Sequence, residues 1–428
     1  MRLSPAHSIN DRLRLPGDKS ISHRAALIAA LASGRSEISN FSTARDCAST
    51  VACLRELGVS IQQNENKLVF PGNEELAAPN KALDCGNSGS TLRILTGVLA
   101  GYDFSAELIG DQSLSSRPMR RIIEPLELMG AKIEATDGKA PLKIHGTSKL
   151  SPITYKLPIA SAQVKSAILF AALKAKGRTT VIENSQSRDH TERLFNGFGV
   201  PVTTNADLSV TLDGPAQPSG GAITIPGDVS SAAYFIAAAM LLSGSSLTIE
   251  GVGLNPTRAA YLSVLTSWGA EISTTDLQTD RNEPYGTINV RGGIASVASE
   301  AARTLSRSMI PSLIDELPLL AVIGSQIAGG IHIRDAAELR LKESDRLATT
   351  AQNLRAMGAS VEEFEDGLHV FGPTRLRGAR IDSHCDHRIA MAFSIAALIA
   401  EGETEIEGSE CVAISFPEFF ELLHSVIR

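Results

Sequence analysis

The chain has 428 residues, 43% hydrophobic and 20% charged, with a formal net charge of −7. That length accommodates two or three domains with large cores, while the acidic balance argues against nucleic acid as a main partner, since phosphate backbones favour basic surfaces. Five scattered cysteines with no CxxC pair fit reduced thiols rather than a disulfide framework. No apolar run reaches membrane-spanning length, and the amino-terminal stretch lacks the apolar segment of a secretory signal. A cytoplasmic location with no membrane partner is expected.

Residues 10–70 predict one structural unit. NDRLRLPG alternates like a strand that ends in a Pro-Gly turn. KSISHRAALIAALASG predicts a helix stopped by Gly34. It is apolar nearly all round, which calls for burial on all sides. SEISNF reads as a short strand, and DCASTVACLRELG as an amphipathic helix with Asp46 as its N-cap. VSIQQNENKLVF predicts a hairpin turning at Asn64–Asn66. The order is β-α-β-α-β-β. The buried-helix pattern returns at 86–101, 157–177, 225–244, 314–330 and 386–402. Closing glycines fall at Gly34, Gly101, Gly177, Gly244, Gly329 and Gly402, spaced 67 to 85 residues apart. Such a period suits a multi-element unit rather than a solenoid repeat. The turn-rich DGPAQPSGG (213–221) divides six units into three and three. An α/β protein of two similar domains, each packing three buried helices inside sheets and outer helices, is the simplest reading. The hairpins argue against an all-parallel barrel or two Rossmann domains.

Basic residues gather where the buried helices begin. Lys19, Arg24, Arg93, Lys165 and Arg388 lie at helix starts, with Arg117, Arg120, Arg188, Lys342 and Arg346 in neighbouring loops. Helix N-termini offer unpaired N–H groups and a positive dipole end, and arginine adds bidentate pairing with phosphate or carboxylate. If the two domains face each other with these helix starts inward, the cleft is expected to be strongly positive, suiting one polyanionic substrate or two anionic ones. Asp315, Glu316, Glu343 and Asp345 stand among these cations and supply a candidate base and a candidate acid. No GxSxG, P-loop or GxGxxG is present. His384 and His387 lack the companions of a metal site. Cys85 and Cys385 read as small packing residues. The fourth unit, with PGDVSSAA and no cation, reads as mainly structural.

As an ordered set, LPGDKSISHR, GNSGSTLR, GDQSLSSRPM, SAQVKSA, RDHTE, IPGDVSSAA, DELPLLA, LRLKESDRL and DHRIAM resemble the 5-enolpyruvylshikimate-3-phosphate synthase family of enolpyruvyl transferases. The resemblance runs from about Leu15 to Pro417. It implies a two-domain inside-out α/β barrel of six βαβαββ units, with a first strand belonging to the C-terminal domain. The domains would be 14–225, and 1–13 with 226–428. It further implies transfer of the enolpyruvyl group of phosphoenolpyruvate to the 5-hydroxyl of shikimate 3-phosphate through a tetrahedral intermediate. No cofactor or metal takes part, the enzyme is expected to be a monomer, and glyphosate is its inhibitor. By position, Lys19 matches a lysine touching both substrates, and Ser20, Arg24, Ser161, Gln163 and Arg188 match contacts to shikimate 3-phosphate. Asn87, Gly89, Arg117, Arg346 and Arg388 match the phosphoenolpyruvate pocket, which Gln163 also borders. Asp315 matches the acceptor of the 5-hydroxyl proton, Lys342 its neighbour on the same substrate, and Glu343 the carboxyl moving a proton at the methylene carbon. Ala162 stands where some members carry a second serine, and Ile414 where some carry a lysine. The sister family acting on UDP-N-acetylglucosamine has a cysteine before its Arg-Pro, and GDQSLSSRPM has none.

Overall fold

The computed structural model describes residues 1–293 and 303–428. The chain forms two compact units, one of Pro16–Pro226 with Thr279–Glu283, the other of Met1–Leu15, Gly227–Gln278 and Pro284–Arg428.

In the first unit three apolar helices, Lys19–Leu31, Gly89–Leu99 and Ala162–Ala172, carry the core. Their small side chains allow close approach. A Cβ on Gly97 would lie 2.1 Å from the carbonyl oxygen of Ala167, so glycine there is what lets two of the helices touch. Second helices Arg45–Glu56, Arg120–Leu128 and His190–Gly197 each keep a polar face. Each unit repeat closes with a sheet of one parallel and two antiparallel pairings, as in Leu83–Asp84, Ser105–Ile109, Lys139–His145 and Lys132–Thr136. A parallel pair joined through a buried helix, followed by a hairpin, is the predicted β-α-β-α-β-β order.

The first strand of copy one is not where the local reading of residues 10–70 puts it. Asn10–Arg14 pairs in parallel with Ser246–Gly253 in the sheet of copy four. The vacant edge beside Ser36–Ser39 is taken by Ala222–Thr224. Local periodicity identifies a strand but not its partner, and the first strand accordingly lies in the second unit, as the resemblance implies. The tip of the Glu271–Asp280/Glu283–Arg291 hairpin also belongs to the first unit: Arg281 Nη1 donates to Gly197 O at 2.7 Å, and His190 Nδ1 lies 2.7 Å from Glu283 Oε1.

The second unit repeats the scheme with core helices Val229–Leu241, Leu317–Gly324 and His387–Ile399. Twelve of the thirteen residues are buried in the first and last of these, as a helix without a polar face requires. Copy six has no hairpin of its own. Arg2–Leu3 pairs antiparallel with Thr404–Glu407 to complete its sheet. Among the described residues no helix is long and apolar enough to cross a membrane.

Candidate functional site

Five of the six core helices open on a side-chain cap. Asp18 accepts from Ile21 N, Ser88 from Thr91 N, Ser161 from Val164 N, Asp228 from Ser230 N and Ser231 N, and Asp386 from Arg388 N. Each cap satisfies donors the helix cannot use and fixes the direction in which the next residues leave the helix start. The polar residues singled out in the sequence sit on these starts or in the loops beside them.

In the first unit the set is knit through arginines. Arg117 Nη2 donates to Asn87 Oδ1 at 2.9 Å and to Ser113 Oγ at 3.1 Å. Arg93 Nη1 donates to Gln163 Oε1 at 2.9 Å, while Gln163 Nε2 donates to Ser90 Oγ at 3.0 Å. Gly89 faces both guanidiniums, and a Cβ there would stand 2.5 Å from Arg93 Nη1 and 3.5 Å from Arg117 Nη1. Asn87, Gly89, Arg117 and Gln163 are thus one cluster, and Arg93, recognised as a helix-start cation, is the residue that joins it. Lys19 is bound by Asp46, Nζ to Oδ2 2.8 Å. Asp46 is therefore not the expected N-cap; the helix Arg45–Glu56 is preceded by Ala44, and Asp46 turns from its own helix to a cation.

Arg24 is 3% exposed. It donates to Thr191 Oγ1 at 2.7 Å, Ser166 Oγ at 2.8 Å and Ser20 O at 2.9 Å, and burial pushes its pKa down to about 10. The Glu192 carboxylate offsets part of that shift, and repulsion from half-buried Arg188 adds to it. Ser161 caps its helix through Val164 N at 3.4 Å. Lys165, expected among the ligand-seeking cations, is a structural ion instead. It is 1% exposed between Glu183 Oε2 at 2.6 Å and Glu192 Oε1 at 2.7 Å. Burial alone would lower its pKa, but the two carboxylates outweigh it and hold the ammonium charged.

In the second unit carboxylates and cations interlock. Arg346, fully buried, offers Nε to Asp386 Oδ2 at 2.8 Å and Nη2 to Asp386 Oδ1 at 3.1 Å. Its Nη2 also meets Glu343 Oε2 at 2.6 Å, and its Nη1 meets Asp315 Oδ1 at 3.4 Å. Arg388 Nη2 lies 3.3 Å from Asp315 Oδ2 and its Nη1 donates to Asp315 O at 3.2 Å. Burial disfavours both guanidinium charges, yet Asp386 and Glu343 around Arg346, and Asp315 beside Arg388, raise their pKa values above the ordinary range. The same pairing drives Asp386 below the usual carboxylate range against its own burial. Half-buried Lys342 is shifted the other way, downward, chiefly by burial.

The cations of this half are matched by carboxylates. Asp315, Glu316, Glu343 and Asp386 stand against Lys342, Arg346, Arg388 and Arg258. The start of the copy-four helix, which carries no cation of its own, receives one from the following loop: Arg258 is 2% exposed and reaches Ser230 Oγ at 2.6 Å. Cys385 is exposed and not a packing residue, whereas Cys85 is buried. Among the described residues no group of three or more His, Cys, Asp or Glu is arranged to hold a metal ion. Ile414, at the position of a lysine in some relatives, packs partly buried against the core.

Two α/β units of buried helices, with arginines and carboxylates fixed at capped helix starts, define an enzyme for multiply charged small anions. The model of the EPSP synthase (3-phosphoshikimate 1-carboxyvinyltransferase) family matches residues 3–423. The 3-phosphoshikimate 1-carboxyvinyltransferase of Koribacter versatilis (strain Ellin345) is 49% identical over 430 residues, covering 100% of this chain and 99% of the relative. That of Akkermansia muciniphila is 48% identical, with 96% of each covered. A solved EPSP synthase from Acinetobacter baumannii superposes with a TM-score of 0.87 at 38% identity, covering 100% of this chain and 98% of that one. The chain belongs to the EPSP synthase family.

Proposed function

We infer that the chain transfers the 1-carboxyvinyl group of phosphoenolpyruvate to the 5-hydroxyl of shikimate 3-phosphate, giving 5-enolpyruvylshikimate 3-phosphate and inorganic phosphate. The observation that carries the reading is the Asp315–Arg346–Glu343–Arg388 cluster. It offers two partly exposed carboxylates beside two guanidiniums, at positions that the motif resemblance matches to proton transfer and phosphoenolpyruvate binding.

The chemistry needs no nucleophile from the protein. The 5-hydroxyl oxygen attacks C2 of phosphoenolpyruvate while its proton passes to Asp315, and C3 gains a proton by way of Glu343. The tetrahedral adduct then loses phosphate from C2 and a proton from C3, which restores the double bond. The negative charge on phosphate and carboxylate is met by Arg117, Arg346 and Arg388, with Lys19 serving both substrates. Gly89 and Asn87 shape the phosphoenolpyruvate site, and Gln163 borders both. Ser20, Arg24, Ser161, Arg188 and Lys342 hold shikimate 3-phosphate; Arg24, already oriented by Thr191 and Ser166, offers a preorganised donor. Five free thiols, four of them buried, suit the reducing cytoplasm, where the chain works as a monomer.

The test is phosphate release from phosphoenolpyruvate with and without shikimate 3-phosphate. Release that requires the second substrate and yields the enol ether product is expected; release without it, or none with it, would overturn the assignment.

A further inference from the structure

We propose that Arg258 is a positioning residue that keeps Arg388 aimed at phosphoenolpyruvate by sharing the charge of the buried Glu316. The proposal rests on the reading of Arg388 as part of the phosphoenolpyruvate site.

Arg258 sits in the loop after strand Ser246–Gly253, and that loop is held rigid by Asn255. Asn255 Oδ1 accepts from Thr257 N at 2.9 Å and from Thr257 Oγ1 at 2.7 Å, and Asn255 O accepts from Arg258 N at 2.8 Å. Arg258 Nη2 donates to Ser230 Oγ at 2.6 Å and lies 3.7 Å from Asp228 Oδ1, the N-cap of Val229–Leu241. Ser230 Oγ in turn bonds Glu316 Oε1. An arginine N–H can only donate and a hydroxyl has one proton, so the direction is fixed. Arg258 gives to Ser230, and Ser230 gives its proton to Glu316.

Glu316 is 2% exposed, and its Oε1 lies 3.6 Å from Arg388 Nη1. A buried carboxylate draws strongly on the cations around it. The chain through Ser230 lets Arg258 carry part of that demand, and Arg388 stays on Asp315 at 3.2 and 3.3 Å. Without Arg258 the Ser230 proton is free to turn away, Glu316 leans on Arg388, and the guanidinium is pulled from the position in which it meets substrate. A displacement of that kind weakens phosphoenolpyruvate and spares shikimate 3-phosphate, which is read as held chiefly by Ser20, Arg24, Ser161 and Arg188.

Steady-state kinetics of Arg258→Met and Arg258→Lys, each alone and combined with Glu316→Gln, alongside wild type, test this. Arg258→Met should raise KM for phosphoenolpyruvate about 10- to 100-fold and leave KM for shikimate 3-phosphate within about twofold. Glu316→Gln in the same chain should recover most of the loss, because the charge that misdirects Arg388 is gone. Equal rises in both KM values, or a second loss in place of recovery, would overturn the proposal. Should Arg258→Met fail to fold, Arg258→Lys carries the test. It keeps the charge without the fork, so the phosphoenolpyruvate KM alone should rise and Glu316→Gln should restore it; an unchanged KM or two changed ones would count against the role. Wild type that releases no phosphate would instead strike the reaction assignment itself.

Discussion

Replacing Gly89 by alanine puts one methyl group where the structure has none to spare. The new Cβ would stand 2.5 Å from Arg93 Nη1, well inside van der Waals contact, and at an ordinary 3.5 Å from Arg117 Nη1. Position 89 opens the helix Gly89–Leu99, where alanine is the better helix former by about 1 kcal/mol. The clash is with the far end of a flexible side chain, so the fold holds and Arg93 moves. Moving it breaks the 2.9 Å bond to Gln163 Oε1. A hydrogen bond to a charged group contributes about 1.5–3 kcal/mol, which at about 1.4 kcal/mol per decade raises KM for phosphoenolpyruvate roughly 10- to 150-fold. The assay is phosphate release with phosphoenolpyruvate varied at saturating shikimate 3-phosphate, together with a melting curve. The melting temperature should stay level or rise. In a Gln163→Ala background the same change should cost far less, because the bond it breaks is already gone. Fully additive losses, or a KM within threefold of wild type, would refute the route through Arg93. The inhibitor glyphosate should be weakened by a larger factor than the substrate; equal loss of both would contradict that ordering.

Asp315→Ala should lower kcat by about 10²–10⁴-fold, the range of a general base, with little change in shikimate 3-phosphate binding by calorimetry; near-normal turnover would remove Asp315 from the mechanism. Glu343→Gln should lower kcat and KM for phosphoenolpyruvate together, since Arg346 loses a competing carboxylate at 2.6 Å; a higher KM would argue against that competition. His23 is held neutral, its pKa pushed well below 6.5 by burial first and by Lys19 and Arg24 next. The unfolded chain binds that proton below pH 6.5 and the folded chain does not, so stability decreases as the pH is lowered, by up to about 1.4 kcal/mol per pH unit. His23→Asn should flatten that slope in urea unfolding between about pH 7 and 5; identical slopes would refute it.

Much of this molecule was legible because its signals are local and repeat. A helix apolar on all faces can only be buried, and six of them at a regular period state the architecture before any coordinate is known. Asn10–Arg14 shows where that ends: alternation marks a strand, but choosing Ser246–Gly253 over Ser36–Ser39 as its neighbour takes contacts hundreds of residues apart. Partner choice misled in the same way at Lys165 and Asp46. A lysine at a helix start and an aspartate before a helix look alike whether they face a ligand or each other. The structure gives Lys165 to Glu183 and Glu192, and Asp46 to Lys19. Arg258 left no trace at all, since its helix start carries no cation and its partners, Ser230 and Asp228, look like ordinary capping residues. Arg346 and Arg388 stand out in the sequence because LRLKESDRL and DHRIAM each crowd cations and carboxylates into one short motif.

The three carboxylates around Arg346 are not equally bound, and the difference points to how substrate and catalyst meet. Asp386 takes two donors of Arg346, caps the helix through Arg388 N at 2.9 Å, accepts from Ser344 at 3.0 Å and is fully buried. Releasing it would uncover a buried charge at a cost of about 3–5 kcal/mol. Asp315 is shared with Arg388 and sits at a longer 3.4 Å. Glu343 is held from three residues away, and its side chain keeps 17% of its exposure, so water can take over its charge when it leaves. A phosphate or carboxylate seeking Arg346 therefore displaces Glu343 or Asp315 before Asp386. Once displaced, Glu343 has lost a cation and gained an anion as neighbour, and both changes make it hold a proton more readily. On the proposed assignment of Arg346 to phosphoenolpyruvate and of Glu343 to proton transfer, a substrate that takes Arg346 would convert an ion-pair partner into the acid its methylene carbon needs.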